Sequence, residues 1–326
     1  MSQTRSSVFF ASTSPGLSDV GVRLSDSAKS SNLGRNGRKS NPGAPSVGSN
    51  SIEDTNPSSS PRPWHLGRVY AEQYQDRSVV DVYHLRPWYP EETFSLLAEL
   101  CDPVCRRVLD VGCGTGEIAR RLAPRVDHVD ALDLSPAMLA KGKDSPGGDA
   151  PNLRWIHGEA ESAAVDPPYG LVTAASSLHW MVWAIVLPRF AQILTPGGVL
   201  AIVYEHASGP PEPYANQLGK LILESLSDRG IAHREPWDLI EELQARNLFV
   251  VTGEALTEPV FQEQTVDEFV DSIHARTNFS RERMGAESAA DFDSRAKDIL
   301  LPAYPTGSLR MSVQMKVVWG RPSPTH

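Results

Sequence analysis

Between Val108 and Leu122 the chain reads V-L-D-V-G-C-G-T-G-E-I-A-R-R-L. An apolar run carrying Asp110 passes into alternate glycines at Gly112, Gly114 and Gly116, then into apolar and basic residues at helical spacing. That order predicts a strand, a tight turn and a helix. Glycine admits positive φ and close approach of a ligand to the backbone, and the first N–H groups of a helix have no partner inside it. The turn is therefore a candidate cradle for a nucleotide-type cofactor. Its spacing speaks against a pyrophosphate. A dinucleotide site wants a third glycine three residues after the second, and here Glu117 stands in that place with a repelling charge. Asp133 lies 17 residues beyond Gly116, at the end of a second apolar stretch. A carboxylate there can accept from both hydroxyls of a ribose.

Other residues could meet a substrate. His179 can take a proton from a hydroxyl or hydrogen-bond a carboxylate, and it can equally anchor its turn. Trp180 follows the carboxyl end of a strand, where doubly wound sheets place ligands, so it is a candidate pocket wall. Tyr204 and His206, with Glu205 between them, follow another strand and are candidate lining residues. His274 and Arg276 are candidates to recognise a carboxylate, Arg through its bidentate fork, with solvated surface as the other reading. No metal site is expected. Cys101, Cys105 and Cys113 make an odd set without a second pair or a histidine cluster, which suits a reducing compartment.

The tight G-x-G-x-G preceded by Asp110 resembles motif I of class I S-adenosylmethionine-dependent methyltransferases. The run D-L-S-P-A-M-L-A-K from Asp133 resembles that family's second cofactor motif. The likeness implies cofactor contacts from Asp110, Gly112, Cys113, Gly114, Gly116, Asp133, Leu134 and Met138. Gly158-Glu159-Ala160-Glu161 resembles the family's G-D-A-E and implies that Glu159 and Ala160 lie beside the adenine. The stretch from Tyr169 to Trp180 resembles the family's buried strand, small-residue turn and H-W pair. It implies that carbonyls at Ala175 and Ser176 accept from the cofactor's ammonium group. Gly170 stands where the family carries an acid, a departure that bears on local structure more than on activity. From Tyr83 to Pro90 the pattern Y-x-x-R-P-x-Y-P resembles the segment before motif I in methyltransferases related to trans-aconitate methyltransferase. There it folds over cofactor and substrate, which implies such a place for Tyr83 and Tyr89; packing aromatics is the alternative. L-x-P-G-G-x-L from Leu194 resembles the last common motif, and T-V-D-E-F-V-D-S-I from Thr265 a late helix that faces substrate.

The resemblance spans about residues 70 to 205. It implies an α/β, doubly wound, mostly parallel seven-stranded sheet of Rossmann-like type with a helical lid. The implied cofactor is S-adenosyl-L-methionine, and the implied reaction is methyl transfer to a small-molecule acceptor, a carboxylate or hydroxyl, by in-line displacement. A general base is optional there. Two rivals stay open: an NAD(P)-dependent oxidoreductase, disfavoured by the glycine spacing, and a non-catalytic binding or regulatory protein on the same fold.

The elements that must position these residues follow from patterning. Strands are expected near Val129–Leu132, Leu153–Ile156, after Tyr169 and after Gly198. Helices are expected from Glu91 to Leu100 and from Ser135-Pro136 onward. Asp127 and Asp130 read as surface charges. Residues 1–62, dominated by Ser, Asn, Gly and Pro, read as a disordered tail with order beginning near Trp64. An organellar transit segment is weakened by Asp19 and Asp26, and a cytoplasmic protein is expected. Residues 63–206 form the expected cofactor-binding core. Residues 207–308 form a helical lid and substrate region, with helices over Tyr214–Leu226, Trp237–Arg246 and Val266–Ala275 and an apolar stretch Leu248–Thr252. Residues 309–326 hold a closing strand, Met311–Trp319, and a tail. With 40% apolar and 22% charged residues the chain is globular in character. No run approaches the ~20 apolar residues that span a bilayer. Net charge is −9, and because residues 1–62 carry seven Lys or Arg against four Asp or Glu, the rest holds −12. Such a body favours a small molecule over nucleic acid.

Overall fold

The computed structural model describes residues 72–231, 238–276 and 278–324. The tail of residues 1–62, the start of order near Trp64 and the first residue of the helix expected at Trp237 lie outside them. Two short helices, α1 (Arg77–Val82) and α2 (Glu91–Leu100), lead into β1 (Arg107–Val111). Then follow α3 (Glu117–Leu122), β2 (His128–Asp133), α4 (Pro136–Lys143), β3 (Leu153–His157), β4 (Tyr169–Ala175), α5 (Trp183–Ile193) and β5 (Leu194–Ala207). The remainder holds α6 (Tyr214–Asp228), α7 (Leu239–Ala245), β6 (Phe249–Leu256), β7 (Val260–Thr265), α8 (Val266–Ile273), α9 (Arg281–Met284), α10 (Ala286–Leu300) and β8 (Ser308–Pro322).

The sheet runs β3-β2-β1-β4-β5-β8-β6, with β7 also paired to β8. Strands β1 to β5 are mutually parallel, and β8 is antiparallel to its neighbours. Eight strands fill seven positions, because β6 pairs with the second half of β8 and β7 with its first half. At the break between them Thr257 takes over the pairing: its N–H donates to the Met315 carbonyl at 3.0 Å and its hydroxyl accepts from Met315 N at 2.9 Å. The expected count of seven thus describes the positions, and β7 is the strand that the pattern did not reveal.

Alternation along the strands covers both faces of the sheet. Val108, Val129, Ala131, Leu171, Ala201, Val203, Met315 and Val317 pack against α2, α3, α6, α8 and α10. Leu109, Val111, Leu132, Val172, Leu200 and Ile202 pack against α5 and α7. This is a doubly wound sheet. Helix α10 was not expected, since only Ala289, Phe292, Ala296 and Leu300 of its fifteen residues are buried and the polar remainder hides the stripe.

Two local expectations are corrected. Asp130 is no surface charge but fully buried, accepting from Arg154 Nε and Nη2 at 2.7 Å each, from the Tyr169 hydroxyl, and pairing with His128 Nε2 at 2.9 Å. It ties β2 to β3 and β4. Gly170, where the family carries an acid, has no room for a side chain: an added Cβ would lie 2.0 Å from the Cys105 carbonyl oxygen. A carboxylate still reaches that corner from Asp102, which accepts from Thr195 Oγ1 at 2.6 Å.

Candidate functional site

A cavity of about 300 Å³ opens at the carboxyl ends of β1, β2, β3 and β4, at the low end of the usual range for small-molecule sites. Gly112 and Gly114 line it after β1, and Asp133, Leu134, Ser135 and Met138 after β2. Gly158 to Glu161 line it after β3, and Ala175, Ser176 and Ser177 after β4. The facing wall is made by Tyr74, Gln75, Tyr83 and Arg86 from the segment before β1, and by Trp180, Met181, Val182 and Ile185.

The three loop glycines all have positive φ, between 57° and 72°. Protein neighbours close on each of them. A Cβ on Gly112 would lie 2.5 Å from Ser177 Cβ, one on Gly114 3.2 Å from the Tyr83 hydroxyl, and one on Gly116 2.3 Å from the Trp155 ring. Gly116 therefore serves helix packing at the N-cap of α3 and does not line the cavity. Asp110 does not line it either. It is buried beneath the loop, accepts from Thr173 Oγ1 at 2.7 Å, and is pushed up to about 7 by burial, with a further push from Asp133. Cys113 packs against the core and donates its N–H to the Leu132 carbonyl at 3.1 Å; burial holds its thiol well above the usual range.

Asp133 is the cavity's central polar group. Its Oδ2 accepts from Gly114 N at 2.7 Å and its Oδ1 from Ser135 N at 2.8 Å, so the carboxylate clamps the glycine loop to the start of α4. Burial pushes it above its ordinary range. Each oxygen keeps acceptor capacity beyond its one backbone bond. Ser135 caps α4 by accepting from Met138 N at 3.2 Å, with Pro136 at the first helical position, and this turns the buried Met138 into the cavity wall. At the end of β4, Ser176 holds a positive φ of 47° and donates its N–H to Val203 O at 3.0 Å. Ser177 Oγ donates to Val111 O at 2.7 Å. The turn carrying Ala175 and Ser176 is thereby fixed to both neighbouring strands.

Aromatic rings build the facing wall. Tyr74 meets Tyr83 edge-on at 6.3 Å and Trp180 at 6.1 Å. Arg86 donates Nη1 to the Tyr83 hydroxyl at 3.3 Å and Nη2 to Glu205 Oε2 at 3.2 Å. Arg276 reaches the other oxygen of Glu205 at 3.1 Å.

Several candidates stand elsewhere. Tyr89 stacks on Phe94 at 6.3 Å and packs on the core. His179 is not a lining residue; its ring lies 4.3 Å from that of Trp180. Tyr204 packs against the second core cluster and His206 is exposed on β5. His274 is fully buried, its Nδ1 2.6 Å from Phe279 O and its Nε2 2.6 Å from Asp293 Oδ1, so it fastens the turn between α8 and α9 instead of meeting a substrate. Arg276 sits behind Arg86, outside the cavity lining. No described residue of 207–308, the expected lid, lines the cavity. Helices α6, α8 and α10 bury their apolar faces on the sheet, and the covering role falls to residues 74–86. Arg86, Tyr74 and Ser177 were not among the sequence candidates. Arg86 lay inside the Y-x-x-R-P pattern, and Glu205 was visible as a lone carboxylate in an apolar strand.

The methyltransferase-domain family profile matches residues 108–198. An uncharacterized methyltransferase of Mycobacterium tuberculosis is 31% identical over 179 residues, 54% of this chain and 70% of that protein. The chain belongs to the class I methyltransferases. A second uncharacterized methyltransferase of the same organism is 32% identical over 121 residues, 36% of this chain, and the match spans 60% of that relative's length. The tRNA 5-carboxymethoxyuridine methyltransferase of Escherichia coli is 34% identical over 119 residues, 35% of this chain and 45% of that protein. A solved structure from Anaeromyxobacter dehalogenans, described as a type II methyltransferase, shares the fold at a TM-score of 0.54 and 22% identity, covering 72% of this chain and 97% of that one.

The cofactor is S-adenosyl-L-methionine, and the cavity fits it. The lining sets the carboxylate of Asp133, which could accept from a diol, beside the apolar Met138 and Leu134 and the turn at the end of β4. Among the described residues the lining presents no Lys and one Arg, Arg86, which is paired with Glu205, as suits a donor without phosphates.

Proposed function

We propose that this protein transfers the methyl group of S-adenosyl-L-methionine to a small-molecule acceptor, a carboxylate or a hydroxyl, by in-line displacement. One observation carries the reading: one cavity joins Gly112, Gly114, Asp133, Glu159, Ala160, Ala175 and Ser176 to the aromatic side chains of Tyr74, Tyr83 and Trp180 and to Arg86. In this reading Asp133 accepts from the ribose hydroxyls. Glu159 and Ala160 take the adenine, and the carbonyls at Ala175 and Ser176 take the ammonium group. When bound, the cofactor supplies a sulfonium-linked methyl already activated for displacement. The chain's own work is then alignment and exclusion of water, which falls to Tyr74, Tyr83 and Trp180. No general base is required of an ionised acceptor, and His179 is assigned to the turn.

The small-molecule reading is supported by the −12 carried by residues 63–326. Three free cysteines suit a reducing compartment, and on that ground we assign the protein to the cytoplasm; among the described residues no helix is long and apolar enough to cross a membrane. Calorimetry with S-adenosylhomocysteine and with NADH tests the cofactor, with binding expected only for the first. Incubating a metabolite pool with methyl-labelled cofactor then tests transfer. Label appearing only in RNA would sink the small-molecule assignment, and tight binding without transfer to any acceptor would leave a binding protein.

A further inference from the structure

We propose that Arg86 is the anion-recognition residue of the acceptor site and that the acceptor carries a carboxylate. This deepens the methyl-transfer reading and rests on it.

Arg86 lines the cavity, and its guanidinium spends only two of its five N–H groups, on the Tyr83 hydroxyl and on Glu205. The group is held in place by two residues, Tyr83 and Glu205. Its carbon lies 5.4 Å from the centre of the Tyr83 ring, its Nη2 is anchored on Glu205, and Glu205 is itself fixed through its second oxygen by Arg276. The Glu205 side chain is 2% exposed, while those of Arg86 and Arg276 are 17% and 20% exposed. Burial pushes Glu205 up, but Arg276 and Arg86 outweigh it and hold the carboxyl below its usual range. Arg86 and Arg276 share the one buried carboxylate of Glu205, and Arg86, the one of the two that lines the cavity, keeps N–H donors for an anionic ligand.

The complement is a monoanion. A carboxylate offers two coplanar oxygens to the donors that Arg86 has left, the geometry that a guanidinium fork selects. A phosphate dianion would meet stronger repulsion than a monoanion from Asp133, Glu159 and Glu161, which line the same cavity. Asp133 and Glu161 are already turned to backbone N–H groups, Glu161 accepting from Val182 N at 2.7 Å. Arg276 makes no contact with the cavity and acts as a positioning residue, holding Glu205 ionised so that Arg86 stays aimed.

The test titrates the full chain, loaded with S-adenosylhomocysteine, with acetate, succinate, benzoate and 3-phenylpropionate, each beside its primary amide. At least one acid is expected to bind about tenfold or more tighter than its amide, the scale of one charge-assisted pair. Arg86→Gln should erase that difference, Arg86→Lys should keep part of it through charge without the fork, and Arg276→Gln should weaken it. Equal binding of acids and amides, or a preference that survives in Arg86→Gln, overturns the proposal. Loss of S-adenosylhomocysteine binding in the unaltered protein would instead sink the methyl-transfer reading. Loss confined to a folded Arg86→Gln would assign Arg86 to the cofactor and overturn the acceptor subsite. Should Arg86→Gln fail to fold, Arg86→Lys decides: an acid preference equal to that of the unaltered protein refutes the fork.

Discussion

Replacing Asp133 with Ala removes one carboxylate that does two jobs, and the structure lets the two be weighed separately. In the free protein, Gly114 N and Ser135 N lose acceptors that lie at 2.7 and 2.8 Å. A buried donor left unmade costs about 1–3 kcal/mol, so with some rescue by water the pair should cost roughly 2–4 kcal/mol. In a chain of this size that lowers the melting temperature by roughly 5–15 °C. On binding, two hydrogen bonds from ribose hydroxyls to an ionised carboxylate are lost as well. At about 1.5 kcal/mol each, the low end for charged acceptors, the affinity falls by a factor of roughly 100 or more. Asp133→Asn should fall between, because one oxygen remains while the amide presents a donor to a backbone donor. Thermal scans measure the first effect and calorimetry with S-adenosylhomocysteine at a temperature where the variant is folded measures the second. A folded Asp133→Ala that binds within about threefold of the unaltered protein would show that Asp133 is a loop clamp with no share in the cofactor, and would refute the reasoning.

Gly116→Ala places a Cβ 2.3 Å from the Trp155 ring at a φ of +72°; strain and overpacking together should cost about 2–4 kcal/mol in denaturant unfolding, and unchanged stability would refute the packing role given to this glycine. Burial raises Asp110 from an ordinary 3.8 to about 7. Its proton therefore favours the folded state fully below pH 3.8, and that contribution is lost as pH rises through about 7, by at most about 4 kcal/mol. Asp110→Asn carries no such proton, so its unfolding free energy should gain on the unaltered protein at roughly the slope of one proton from about pH 5 to about pH 7, and level off above; a gap that does not move with pH would count against a raised Asp110. His179→Ala should leave the pH profile of methyl transfer unchanged, and loss of a basic limb in that profile would restore His179 as a proton acceptor.

Much of the cofactor side was legible in the chain. The strand, glycine turn and helix of 107–122, the Ser135-Pro136 helix start and the alternating β8 are written in neighbouring residues, since backbone pairing, caps and positive φ are local requirements. Asp133 was found from its place at a strand end, and the segments at 158–160 and 175–176 from their resemblance to the family's motifs, and they line one cavity. What the chain could not announce was which neighbour each residue would meet. Gly116 faces a tryptophan on β3, Asp110 lies under the loop, and Asp130 pairs with Arg154 and Tyr169 on two other strands. Arg86 and Glu205 are 119 positions apart and Glu205 and Arg276 are 71 apart. Periodicity reports which face of an element is apolar, but a buried ion pair depends on which elements the sheet order sets side by side. The glycine cradle was thus decided locally, while the pairing of Arg86 with Glu205 and the absence of the described residues of 207–308 from the cavity lining were decided only when the helices of that segment spent their apolar faces on the sheet.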